Sequence, residues 1–142
     1  MDDIFTLLKI LIFGGSTLLT PEPIDINTNL LTIKPDSSIE AITKGASLNI
    51  DVSQYILSEK MTDGFEEIKE KFPQGCITAT LINEQGEKVV LNKSSGRWGG
   101  AKKMVNLHAA NGVLTDIEFN TIELLSCKEI KNTKVTWYNY SK

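Results

Sequence analysis

The chain has 142 residues, enough for one domain with a sizeable core. Its 41% apolar and 23% charged content is ordinary for a globular protein, and a net charge of −3 gives no electrostatic reason to expect nucleic acid. Fourteen of the fifteen basic residues are lysine, and the single arginine, Arg97, disfavours a surface built for bidentate binding of many phosphates or carboxylates.

The first segment, residues 1–20, is signal-like or anchor-like. From Ile4 to Leu19 it is apolar except for Thr6, Lys9, Ser16, Thr17 and the glycines. Sixteen residues would make a helix of roughly 24 Å, short of the roughly 30 Å hydrocarbon core. Gly14 and Ser16 supply small residues for a cleavage site, but Asp2 and Asp3 stand where a signal peptide carries cations. The segment is thus expected as a signal peptide or a membrane anchor through residues 4–19, placing the protein outside the cytoplasm or on the inner membrane. The alternative is a cytoplasmic protein with an N-terminal helix packed on its own domain. Residues 21–29, with Pro21 and Pro23, read as a linker.

Residues 30–142 read as one β domain. "LLTIK" is a short strand. In "SLNIDVSQYI", Leu48, Ile50 and Val52 alternate with Asn49, Asp51 and Ser53, predicting a strand with one wet face. "DGFEEIKEKFPQG" changes period: Phe65, Ile68 and Phe72 form one helical stripe. A helix over 63–72 follows, with Asp63 as cap, Glu67 and Lys71 paired at i, i+4, and Glu66, Glu67 and Glu70 on the solvated side. "CITATLIN", the turn "NEQG" and "EKVVLN" form a hairpin. "FNTIELLS" and "TKVTWYNY" complete the set, with Trp137 facing the core and Tyr138 and Tyr140 on the opposite face. About seven short strands joined by loops predict a mainly β fold. It is expected to be an antiparallel two-sheet sandwich, Ig-like or jelly-roll-like, with one short helix; a partly open barrel is the alternative.

Chemical motifs are sparse. There is one histidine, His108, and no Walker loop, G-x-S-x-G or G-x-G-x-x-G. No cofactor or metal is expected. Cys76 opens one strand and Cys127 ends another, so the pair is a candidate disulfide in an oxidising compartment. The stretch "SSGRWGGAKK" sets Arg97 beside Trp98 among three glycines. It reads as a bend whose tryptophan packs on the core, and also as the best candidate for a binding loop, since arginine and tryptophan are enriched at hot spots. Tyr138 and Tyr140 add a second candidate surface. The expected function is therefore non-catalytic recognition of another protein, as by an immunity or adaptor protein. A carbohydrate-binding module is the alternative, and a hydrolase a remote one.

Overall fold

The computed structural model describes residues 15–20, 22–35, 38–41, 47–99, 102–109 and 117–139. Among these residues the fold is mainly β, with several antiparallel sheets and one α-helix. A five-stranded sheet runs in the order β1 (Gly15–Leu18), β13 (Val135–Asn139), β5 (Ser47–Asp51), β9 (Lys102–His108), β8 (Lys93–Gly99). A four-stranded sheet runs β3 (Leu31–Ile33), β11 (Thr121–Ser126), β6 (Ile77–Ile82), β7 (Lys88–Leu91). Two small ribbons pair β4 (Ile39–Ala41) with β10 (Ile117–Phe119), and β2 (Ile24–Ile26) with β12 (Ile130–Thr133).

Period-two alternation decides which side of each strand is buried. In β6, Ile77, Ala79 and Leu81 are buried while Thr78, Thr80 and Ile82 are partly exposed. Leu48 and Ile50 of β5 and Val135 and Trp137 of β13 point into the same core as Ile122 and Leu124 of β11, so both larger sheets feed one cluster. Trp137 is 1% exposed and meets Phe119 edge to face, with ring centroids 5.7 Å apart. The hairpin expected at "NEQG" forms. Gly86 takes a positive φ of 80°, Asn83 Oδ1 accepts the amides of Gln85 and Glu87, and Ile82 pairs with Lys88.

The structure departs from the sequence reading in several places. Residues 15–18, assigned to an apolar helix, are instead strand β1, paired with β13; residues 1–14 lie outside the described part. Residues 24–26, within the expected linker, form β2, whose Ile26 is fully buried. The sheets therefore take in chain before residue 30. The stretch "SSGRWGGAKK" is not a loop. Its residues 94–99 belong to β8 and 102–103 to β9, with Gly99 opposite Lys102; residues 100 and 101 lie outside the described part.

The expected wet face of β5 is also dry at its first half. Ser47 and Asn49 are buried. Their cost is offset by a closed set of hydrogen bonds: Asn49 Nδ2 and Asn106 Nδ2 both donate to Ser47 Oγ, and Asn106 Nδ2 also donates to Asn49 Oδ1. Periodicity counts polar residues as solvated and does not see such satisfaction.

The helix, α1, spans Met61–Lys71, and its N-cap is Lys60, which makes no side-chain cap bond. Asp63 thus lies inside the first turn, where its charge meets the positive end of the helix dipole. Ile68 and Phe72 are buried, but Phe65, expected in the core, is 37% exposed. Glu67 is not a solvated carboxylate. It accepts the amides of Leu57 and Ser58, the Ser58 hydroxyl and the Lys71 ammonium, and so staples the 57–58 loop to the helix. These bonds, the Leu57 amide first, lower its pKa from 4.5 to about 2.

Among the described residues no helix is long and apolar enough to cross a membrane. The disulfide Cys76–Cys127 is formed, with Cα atoms 4.8 Å apart. It joins residues that flank the β6–β11 ladder, one step beyond the Ile77–Ser126 pair, so it bridges neighbouring strands of one sheet. Such a bond is compatible with an exported protein.

Candidate interaction surface beside helix α1 and strand β8

Strand β8 is an edge of the five-stranded sheet, and α1 lies against its inner face. Two glycines make the contact close. An added Cβ on Gly64 of α1 would lie 1.9 Å from Trp98 Cζ3. An added Cβ on Gly96 of β8 would lie 3.0 Å from Phe65 Cδ1 and 3.3 Å from Ile68 Cδ1. Each element thus gives up a side chain where the other presents one.

Alternation along β8 parts the two residues that the sequence sets side by side. Trp98 turns inward to Gly64, stacks edge to face with Phe65 at 6.2 Å, and has Lys103 Nζ 4.9 Å from its ring centre. Lys103 Nζ also donates to the Ser58 carbonyl. Arg97 lies on the other face, its guanidinium 4.4 Å from the centre of the Tyr138 ring. The structure therefore brings Arg97 together with Tyr138, and Trp98 together with α1. Tyr140 lies outside the described residues.

The surface around this packing is apolar. Met61, 52% exposed, and Phe65 lie one turn apart at the start of α1, and Leu57 in the loop before it is 82% exposed. Phe65 also lines a groove of about 340 Å³, together with Ile68, Phe72, Gly96, Glu66 and Lys69. The groove opens along the β8 edge. There Gln74 caps the first part of the strand: the Ser94 amide donates to Gln74 Oε1 at 3.0 Å, and Gln74 Nε2 donates to the Ser94 carbonyl. The type of turn that delivers Gln74 needs Gly75, at φ 84°, with the Cys76 amide closing on the Pro73 carbonyl.

Sequence reading missed Leu57, Met61, Gly64, Gln74 and Gly96. One signal was available: Met61 stands four residues before Phe65 and extends its stripe. Nothing in the sequence marks Gln74, because a side chain that pairs with a strand edge has no local pattern.

Among the described residues no group of His, Cys, Asp and Glu could hold a metal ion. Comparison of the chain with family models, with curated proteins and with solved structures finds no match.

Proposed function

We propose that the protein is a non-catalytic domain that recognises another protein, in the manner of an immunity or adaptor protein. The observation that carries this reading is the exposure of Leu57, Met61 and Phe65 before and along the start of α1, with Phe65 lining the groove between α1 and β8. Exposed apolar surface that is contiguous, rimmed by polar groups and set in a concavity is the kind proteins use for partners. The fold this reading presumes is a two-layer sandwich of the five- and four-stranded sheets, with α1 closing one side. The setting it presumes is export, which would keep the Cys76–Cys127 bond oxidised and give the apolar residues before β1 a purpose.

A sugar platform finds less support. Trp98 would have to offer an open ring face with Arg97 beside it. Instead its ring is packed on Gly64 and Phe65, and Arg97 is on the other side of the sheet.

The test is cross-linking in extract of the native source, comparing the wild-type chain with a Leu57→Ser/Met61→Ser variant. Both side chains are exposed, so stability should change by no more than about 0.5 kcal/mol each. A protein cross-linked to the wild type and lost from the variant supports the reading. A glycan bound equally by both chains, with no such protein, would favour the sugar module instead.

A further inference from the structure

We infer that the β8 edge takes an extended acidic segment of the protein partner as an added strand. This rests on the protein-recognition reading and says how the partner is held.

The first observation is the pairing pattern. Gln74 bonds both polar groups of Ser94, so these point away from β9. In an antiparallel pair the outward residues alternate, so the N–H and C=O groups of Gly96 and Trp98 also point to the open side. Ser95 and Arg97 spend theirs on Asn106 and Met104 of β9. Two residues of β8 therefore present a ready template for a further strand. Gln74 fills the next place along the edge with a primary amide, the same donor and acceptor that an incoming peptide group would bring.

The second observation is what lies on either side of that edge. On the inner side is the apolar groove under Phe65, Ile68 and Phe72. On the outer side Lys93, Ser95 and Arg97 of β8 share one face with Lys102 of β9. Strands β8 and β9 together hold four cations, Lys93, Arg97, Lys102 and Lys103, and no carboxylate. The other residues hold eleven cations (15 less 4) against all 18 carboxylates, a net of −7. A protein that is acidic elsewhere thus places Lys93 and Lys102 on the outer face beside an edge that carries open peptide groups and a groove.

These two sides specify the occupant. Side chains of an added strand alternate between faces. Those turned to α1 would enter the groove and should be apolar. Those turned the other way would meet the exposed Lys93 and should be acidic. A second copy of this chain fits poorly, because pairing two β8 edges sets Lys93 of each copy on the same face of one ladder.

The probe is an N-acetylated, fluorescein-labelled heptapeptide that alternates glutamate with valine, titrated by fluorescence anisotropy against the full chain. It should bind, and a lysine–valine counterpart should not. Lys93→Glu, at an exposed side chain, should weaken binding by at least about tenfold. Two further peptides are N-methylated at alternate residues, one in each phase. One phase should lose binding and the other should keep it, because only one set of peptide groups faces β8. Hydrogen exchange should show the Gly96 and Trp98 amides exchanging quickly in the bare protein and slowly in the complex, with Ser95 and Arg97 slow in both. Absence of binding up to about 1 mM peptide, the weak end of the affinity scale, would overturn the inference. So would equal binding of both methylated phases, or protection that appears elsewhere.

The two readings fail separately. If a native partner depends on Leu57 and Met61 yet leaves Gly96 and Trp98 unprotected, protein recognition stands and strand addition falls. If the partner ignores the Leu57→Ser/Met61→Ser variant as well, both fall.

Discussion

Replacing Gly64 by alanine should destabilise the protein, although on an isolated helix the same change would help. Alanine is favoured over glycine by about 1 kcal/mol in a helix interior. Here the new methyl would lie 1.9 Å from Trp98 Cζ3, and 2.7 and 2.8 Å from Cη2 and Cε3. Carbon atoms rest at about 3.5 to 4.0 Å, so ring and helix must part by roughly 1.6 Å or more. Trp98 has little room to swing, with Phe65 against its edge and Lys103 over its face. Overpacking of this kind costs about 1 to 3 kcal/mol, and the depth of the overlap places it at the upper end. After the gain in helix propensity, a net loss of about 2 kcal/mol is expected. Urea unfolding followed by far-ultraviolet circular dichroism measures it. The decisive comparison repeats the change in a Trp98→Ala background. Without the ring the clash vanishes and only propensity remains, so Gly64→Ala should there stabilise by about 1 kcal/mol. A substitution with the same sign in both backgrounds would refute the packing of Trp98 on Gly64, and with it the account of how α1 is seated on β8.

Three other outcomes are expected. Replacing Cys76 and Cys127 together by serine should cost about 4 kcal/mol on the chain-entropy model for a closure spanning 51 positions, read by urea unfolding; a loss under about 1 kcal/mol would mean that the β6–β11 ladder alone already holds these ends together. Trp137→Ala should cost about 3 to 5 kcal/mol, since the ring is fully buried against Phe119; a loss under about 1 kcal/mol would place it outside the core. Glu67, lowered to about 2 from 4.5, contributes stability that is fully present above its unfolded value and disappears as pH falls through the folded one. Wild type should therefore lose stability between about pH 4.5 and 2 more steeply than Glu67→Gln does. Parallel pH profiles in acid urea titrations would remove Glu67 as the anchor of the 57–58 loop.

The parts of this fold that were legible in sequence are those in which one face of an element is apolar and the other is not. Ile77, Ala79 and Leu81 in β6 announce their strand, and Trp137 announces its direction. The turn at Gly86 is legible because its backbone needs a positive φ. The disulfide is legible because only two cysteines exist and both fall at strand ends. Strands of three residues, such as β2, β4 and β10, are too short to show a period. β8 was hidden for a different reason. Its inner positions are Ser94, Gly96 and Trp98, and its outer ones Lys93, Ser95 and Arg97. Neither set looks like a core, because the helix supplies the apolar surface that the strand lacks.

That exchange also explains why the candidate surface could not be read from adjacent residues. The sequence places Arg97 next to Trp98, and adjacency suggests one shared site. In a strand, adjacency means the opposite, since neighbours face apart. Trp98 is drawn to the helix by a glycine 34 positions earlier, and Arg97 is drawn to Tyr138, 41 positions later. The feature that joins them is the backbone between them. The Arg97 peptide groups are spent on Met104, while those of Gly96 and Trp98 face outward. A partner that adds a strand here would touch the groove with one side and Lys93 with the other. It would pair with the peptide groups on either side of Arg97 without either side chain having to stand exposed in a loop.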